Sequence, residues 1–476
     1  MIDSNKKLYE WGPIDSALLP LSYFFAAMYD RMFDLFNLCW SESAIIFEKD
    51  SALWFLEQEA LDKACQEFTD KVFISDKTRG NFYKTWHRYI KKLLNIHKSI
   101  ERHNLKKLGD KELAQLFRKW NKAYLDFWSI GVTTELINFD LDVKLKKIIE
   151  RYLKDKKSFN KAFVALSTPS ELSFYKEEEI DLMPIIFLSG KEKEKALEKH
   201  AKKYFWILDN YLEAQVLGKD YFKDHIKGIS KNQVKKSLKE TSYYKQKVSQ
   251  AKQEYIGRLK LSQKEVKIVD LLSDSIILQD KRKKYNLQAA HFLEEFLKEL
   301  SRRNKIFVRD LKRLLPDEIE RYFQRKDLQN LIKERKNIIV VSCAKGMQEI
   351  IIGKKAIEIS EKLRKKDVEK KANLQGTVAS TGKTKYFRGV ARIILTPKEG
   401  HKLRDGEILV TAMTTPDYVV FMKKAGAIIT DIGGITCHAA VVSREFQIPC
   451  IVNTKDATKI IKDGDILELH NLRGGG

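Results

Sequence analysis

The chain has 476 residues, about three times the length of a typical domain, so two or three hydrophobic cores are expected. Hydrophobic residues make up 43% of the sequence and charged residues 32%, a balance that excludes a largely disordered chain. The formal net charge of +24 allows nucleic acid, an anionic membrane or phosphorylated ligands as partners, because such a field attracts anions.

The positive charge is concentrated before residue 373. Residues 373–476 carry 14 Lys or Arg against 10 Asp or Glu, so +20 of the net charge falls on the preceding 372 residues. Much of it alternates with glutamate, as in residues 191–195, which is typical of a solvated helix face. Nucleic acid is therefore not the expected partner.

The cysteines and the apolar segments indicate the compartment. Five cysteines lie far apart without a CxxC pair, and no cleavable signal sequence precedes them. The most apolar early segment, residues 16–29, is too short to cross a bilayer. We therefore expect a reduced, cytoplasmic protein without a membrane partner.

Helical spacing of apolar residues dominates the first 336 residues, and prolines are absent over long stretches, as long helices require. We predict a helical domain over residues 1–155 and a second over 156–336. Thr168, Pro169 and Glu171 form a capping-box pattern, which predicts a helix beginning at Pro169.

The periodicity changes after residue 336. Short β-branched runs at residues 337–343 and 349–353 predict a strand pair, and a charged helix follows, so residues 337–372 are interpreted as short strands and a linker helix. From residue 373 to 476, short strands alternate with one or two helices. The predicted fold is therefore a mainly α N-terminal region plus a C-terminal α/β domain.

The segment with the clearest chemistry is residues 427–445, where a buried strand leads into Gly433 and Gly434 and then into a helix opened by Thr436. The first turn of a helix has unpaired N–H groups and a partial positive charge, and glycines let the backbone approach closely, which favours a bound phosphoryl group. Thr436 is predicted as the N-cap, with a hydroxyl that could contact phosphate.

His438 lies in the first turn of this helix. A partly unprotonated imidazole can attack phosphorus without an additional base. The alternative is an ordinary histidine at a helix start, with glycines that serve only the turn. The flanking residues favour the first interpretation.

Residues 433–440, together with Arg444, Glu445 and Pro449, resemble the phosphohistidine motif of phosphoenolpyruvate synthases and pyruvate phosphate dikinases. The resemblance extends over about residues 373–470 and includes residues 376–380, 389–391, 406–410, 413–417 and 463–465. It implies that residues 373–476 form a swivelling phosphohistidine (PEP-utilising enzyme mobile) domain.

By this resemblance, His438 carries the phosphoryl group between two active sites. Thr436, Gly433, Gly434 and Arg444 are candidates for orienting the phosphate. Arg444 could equally form a structural ion pair. No metal site is predicted, and residues 376–384 are not a P-loop, because five residues rather than four separate the glycines.

The residues before 373 show neither the strand alternation of an ATP-grasp fold nor the eight units of a barrel. We therefore predict the carrier and acceptor-binding part of a split dikinase-type phosphotransferase, with no cofactor on this chain and with ATP and Mg on an ATP-grasp protein acting in trans. The order of a helical region followed by a carrier resembles rifampin phosphotransferase, which makes residues 156–336 the candidate domain for a small-molecule acceptor.

Two other interpretations remain open. The chain could be a non-catalytic protein that binds nucleic acid or another polyanion and is regulated by phosphorylation of His438; its binding would depend steeply on salt. Alternatively, the carrier has lost its function and is structural. If the carrier is mobile, residues from Gly376 onward should form a separate compact unit with an exposed His438, connected by a charged linker at about residues 358–373.

Overall fold

The computed structural model describes residues 2–322, 328–364, 374–382, 386–434 and 437–469. Its longer helices are α1 (Leu18–Ala26), α2 (Met32–Phe36), α3 (Gln58–Phe68), α4 (Asp76–Glu101), α5 (Asp110–Gly131), α6 (Thr133–Tyr152), α7 (Lys156–Ser167), α8 (Phe174–Leu182), α9 (Gly190–Tyr204), α10 (Lys219–His225), α11 (Lys231–Ser242), α12 (Tyr244–Leu259), α13 (Gln263–Asn304), α14 (Val308–Leu311), α15 (Pro316–Tyr322), α16 (Gln329–Glu334), α17 (Gly353–Arg364), α18 (Val419–Lys424), α19 (His438–Phe446) and α20 (Ala457–Ile460).

The strands are β1 (Leu8–Asp15), β2 (Ser43–Glu48), β3 (Ser51–Glu57), β4 (Ile339–Ala344), β5 (Met347–Ile351), β6 (Thr377–Thr381), β7 (Phe387–Ile393), β8 (Ile408–Thr411), β9 (Ala427–Thr430), β10 (Pro449–Val452) and β11 (Ile466–Leu469). The combination of an N-terminal helical region and a C-terminal α/β region confirms the predicted fold class. Among the described residues, no helix has the length and apolar composition needed to cross a membrane.

The chain divides into two compact units. The first contains residues 1–140, 210–214 and 288–369, and the second contains residues 141–209, 215–287 and 370–476. Each unit thus combines segments that are distant in the sequence, whereas the four predicted domains are contiguous stretches.

The first unit contains an antiparallel sheet with the order β1-β3-β2-β4-β5. The predicted strand pair is confirmed as β4 and β5, with Val341 opposite Ile350. Residues 1–155, predicted as a helical domain, also supply β1, β2 and β3, which the sequence analysis did not predict. Strand β2 is buried along nearly its whole length, so its sequence lacks the alternation that identifies a half-exposed strand.

The second unit contains a mixed sheet with the order β11-β7-β8-β9-β10-β6. Strands β7, β8, β9 and β10 are parallel, while β11 and β6 form antiparallel edges. Every residue of β8 and β9 is buried, which explains their continuous apolar sequences. Ile408 and Val410 face one core, whereas Leu409 faces another.

The core that includes Leu409 joins the C-terminal sheet to the helical segments of the same unit. It combines Phe174, Tyr204 and Trp206 with residues of the sheet and of α18, such as Met422. The expectation that residues from Gly376 onward form a separate compact unit is therefore wrong for this structure. Apolar side chains of α8, α9 and the following turn cover one face of the sheet, and their burial stabilises the joint packing.

Candidate functional site

The turn before α19 is built around Gly433. This glycine has φ +123°, and a Cβ atom placed on it would lie 2.8 Å from the Sγ atom of Cys437. Both the backbone conformation and the close approach therefore favour glycine. The carbonyl of Gly434 accepts a hydrogen bond of 3.0 Å from the N–H of Cys437, which closes the turn.

Helix α19 begins at His438, with Cys437 in an extended conformation as its N-cap. The prediction that Thr436 is the N-cap is therefore wrong by one residue. Thr436 lies outside the described residues, so its role in orienting phosphate stays a prediction. The helix ends at Phe446 because Gln447 adopts a left-handed conformation, from which the chain enters β10.

The imidazole of His438 is enclosed by protein. The residue is only 8% exposed, so the expectation of an exposed His438 is wrong. Its Nδ1 atom lies 2.9 Å from Oγ1 of Thr414, and its ring meets that of Tyr175 edge to face with centroids 5.9 Å apart. Among the described residues, its Nε2 atom has no hydrogen-bond partner.

Burial lowers the pKa of His438 well below its ordinary value, and the positive charge of Lys283 lowers it further. The imidazole is therefore neutral at neutral pH and keeps a lone pair on one nitrogen. If Nδ1 carries the proton and donates a hydrogen bond to the hydroxyl of Thr414, the free lone pair is on Nε2. This nitrogen is then a buried nucleophile close to a lysine cation.

Two partly buried carboxyl groups lie at the N-terminus of α8. Glu445 accepts hydrogen bonds from the N–H of Ser173 at 2.7 Å and from its hydroxyl at 2.5 Å. Asp280 accepts a hydrogen bond of 3.0 Å from the N–H of Phe174. Burial raises the pKa of Glu445 to about 7, and burial with the nearby charge of Glu445 raises the pKa of Asp280 to about 7.

This helix start differs from the predicted one. Helix α8 begins at Phe174, and the hydroxyl of Ser173 accepts the capping hydrogen bond from the N–H of Lys176. The predicted cap, Thr168, follows the end of α7, where its hydroxyl donates to the carbonyl of Val164. The helix start predicted from the capping-box pattern is therefore wrong, because the Thr168 hydroxyl bonds to the preceding helix and does not cap the next one.

Arg444 of α19 is partly buried, and its Nε atom donates a hydrogen bond of 2.8 Å to the carbonyl of Ala379 in β6. Burial lowers its pKa. This bond ties the helix that carries His438 to the edge of the sheet and supports a structural role for Arg444. Its role in orienting phosphate stays a prediction, as do those of Gly433 and Gly434.

Sequence reasoning assigned no role to Thr414, Tyr175 or Lys283. Thr414 lies in the segment 413–417 that contributed to the family resemblance, so a signal was available for it. Tyr175 and Lys283 occupy helices about 260 and 155 residues before His438, and no sequence pattern links them to it. Only the packing of the second unit brings these side chains together.

Comparisons with known proteins identify the segment that contains His438. Residues 403–474 match the family model of the PEP-utilising enzyme, mobile domain. This part of the chain belongs to that mobile-domain family. The family match includes both Thr414 and His438, whereas Tyr175 and Lys283 lie outside it.

Relatives of the mobile domain are phosphoenolpyruvate synthases. A probable phosphoenolpyruvate synthase of Archaeoglobus fulgidus is 47% identical over 117 residues, which are 25% of this chain and 14% of that protein. A probable phosphoenolpyruvate synthase of Staphylothermus marinus is 48% identical over 122 residues, again 25% and 14%. The phosphoenolpyruvate synthase of Pyrococcus furiosus is 48% identical over 101 residues, 21% of this chain and 12% of that protein.

These similarities concern the mobile domain, and this chain spans only about one seventh of the length of the first relatives. They show that the segment around His438 is similar to the mobile domain of phosphoenolpyruvate synthases. Across the described parts of the chain, no group of three or more His, Cys, Asp or Glu residues could hold a metal ion.

Proposed function

We propose that this chain is the phosphoryl-carrying and acceptor-binding component of a split dikinase-type phosphotransferase, and that His438 carries the phosphoryl group. The observation that carries the proposal is the state of His438 at the start of α19. It is neutral, Thr414 holds its Nδ1 atom, and its Nε2 atom has no partner among the described residues. The match of residues 403–474 to the mobile-domain family supports it.

In the proposed first step, the lone pair of Nε2 attacks the phosphorus of a donor. A P–N bond forms while the P–O bond to the leaving group breaks, and the leaving group keeps the electron pair. In the second step, the oxygen of an acceptor hydroxyl attacks the phosphorus, the P–N bond breaks with its electron pair returning to Nε2, and the hydroxyl proton is released to solvent. Lys283 supplies positive charge close to His438, where negative charge gathers on the phosphoryl group.

The donor is assigned to a separate ATP-grasp subunit with ATP and Mg, and the acceptor is a small molecule bound by the helical residues of the second unit. In this proposal, the mobile domain is in the position for transfer to the acceptor when His438 is enclosed near Tyr175 and Lys283. Reaching the donor requires the mobile domain to leave the shared apolar core. Its departure therefore needs compensating interactions with the donor subunit.

A second candidate function has a specific observation in its favour. The burial of His438 and the continuous core between the mobile domain and α8 favour a structural domain that never carries phosphate. In that case His438 serves only the packing around Tyr175. Labelling distinguishes the two functions.

The test uses the full-length chain with Mg²⁺ and either ³²P-labelled phosphoenolpyruvate or ATP labelled at the β or γ position, in the presence of extract from its source cells. We expect acid-labile, base-stable label that mass spectrometry maps to His438 and that His438→Ala abolishes. His401→Ala is the matched control, because His401 is exposed in the same sheet region. Absence of label with every donor, or equal labelling of the His438→Ala variant, would contradict the proposal.

A further inference from the structure

A groove of about 420 Å³ lies between α7, α12 and β6 in the second unit. It is lined by residues of α7 and the turn after it (Asn160, Lys161, Val164, Ala165, Thr168), of α12 (Tyr244, Lys247, Val248, Ala251, Tyr255) and of β6 (Val378, Thr381). Its volume is within the range of small-molecule sites in proteins. None of its lining residues belongs to the site around His438.

The floor of the groove is apolar. Val164 and Ala165 of α7 face Val248 and Ala251 of α12, and all four remain partly exposed. The hydroxyl of Tyr244 donates to the carbonyl of Pro169, which fixes this ring at one end of the helix. An apolar body bound here would remove these side chains from water, a favourable transfer.

Lys161 and Lys247 give the groove its charge. Both are exposed, and neither has a hydrogen-bond or ion-pair partner for its ammonium group among the described residues. No Asp or Glu lines the groove. In the same unit, Lys176 and Lys284 form ion pairs of 2.8 and 2.9 Å with glutamates, whereas no carboxylate of the groove neutralises Lys161 or Lys247.

We propose that this groove binds a small, flat, apolar anion, with its body on the Val–Ala floor and its acidic group at the lysine rim. The charge complementarity selects an anion over a neutral or cationic molecule of the same shape. Because β6 forms one wall, a bound ligand should stabilise the packing of β6 against α7.

The experiment uses the full-length chain and isothermal titration calorimetry with naphthalene-2-sulfonate as the probe. The probe should bind and raise the melting temperature, whereas 2-naphthylmethylammonium, a cation of similar shape, should bind at least about tenfold more weakly. Lys161→Ala/Lys247→Ala should weaken sulfonate binding by about tenfold, as expected for the loss of two rim charges. Lys235→Ala/Lys245→Ala removes two exposed lysines outside the groove and should leave the affinity unchanged.

A second variant tests the location of the body of the ligand. Ala251→Trp places a large ring on the floor at a partly exposed position, and we expect it to abolish sulfonate binding with little change of the melting temperature in the absence of probe. Equal affinity for the anion and the cation would overturn the proposal. So would undiminished binding by the groove-lysine variant or by Ala251→Trp.

Discussion

Oγ1 of Thr414 and Nδ1 of His438 lie 2.9 Å apart, although 24 residues separate them in the sequence, and both residues are buried. Thr414 follows β8, and His438 opens α19 after the neighbouring strand β9. Parallel strands end at the same edge of a sheet, so this topology places the two segments together. The contact fixes the ring orientation and directs Nε2 away from Thr414.

Thr414→Val should therefore slow phosphorylation of His438. Valine keeps the shape of threonine but cannot accept a hydrogen bond from Nδ1. The tautomer with the lone pair on Nε2 therefore loses one hydrogen bond, worth about 1 kcal/mol. We expect a decrease of roughly fivefold to tenfold in the labelling rate and an altered pH profile. Thr414→Ser retains the hydroxyl and should restore most of the rate. If the serine and valine variants behave alike, the hydroxyl has no positioning role.

Lys283→Met should reduce phosphoryl transfer from His438 to the acceptor. The positive charge of Lys283 lowers the pKa of His438, and the same charge is expected to stabilise a negative phosphoryl group on that ring. Single-turnover transfer from the labelled protein measures the effect, which we expect to be at least about tenfold. Lys281→Met is the matched control on α13, because Lys281 pairs with Glu171 at 2.9 Å. Equal rates in the two variants would remove Lys283 from the site.

Glu445→Gln should alter the dependence of stability on pH. The folded protein holds the proton of Glu445 up to a pKa of about 7, whereas the unfolded chain releases it near 4.5. Between these values the folded state binds more protons, so this group lowers stability as pH rises, and the full penalty is present above pH 7.

The glutamine variant lacks this penalty and can still accept from the N–H of Ser173. We expect it to be more stable than the unmodified protein at pH 8, by on the order of 2–3 kcal/mol, and similar to it near pH 4.5. Urea denaturation followed by circular dichroism at both pH values measures this. If the free energy of unfolding depends on pH in the same way in both proteins, ionisation of Glu445 does not destabilise the fold.

Lys252→Met should stabilise the second unit at neutral pH. Lys252 in α12 is 8% exposed and contacts the hydroxyl of Ser273, and burial lowers its pKa to about 8. The unfolded chain keeps this proton up to about 10.5, so the group lowers stability below pH 8, and stability recovers as pH rises from 8 to 10.5.

Methionine fills a similar volume without a charge. We expect a gain on the order of 1–3 kcal/mol at pH 7 that shrinks by pH 10, measured by urea denaturation. Lys245→Met, at an exposed position of the same helix, should change stability little. A loss of stability at pH 7 in the Lys252→Met variant would mean that the contact with Ser273 outweighs the cost of burying the charge.

Local signals in the sequence were sufficient for some elements and misleading for others. Strand β9, the Gly433 turn and the helix carrying His438 follow from a short apolar run, a pair of glycines and the change to helical spacing, all within about 20 residues. Strands β2 and β3 were missed because they are stabilised by pairing with each other and, for β2, with β4, about 300 residues further on. Such pairing leaves little local trace when both faces of a strand are buried.

The sequence by itself determined the chemistry available at His438, because residue types and their spacing around one turn are local properties. The tertiary structure alone decided the environment of that histidine. Burial beside Tyr175 and Lys283 depends on apolar side chains of α8, α9 and the sheet sharing one core. The hydrophobic effect that forms such a core is non-directional and acts between residues hundreds of positions apart, so no local pattern specifies which surfaces it joins.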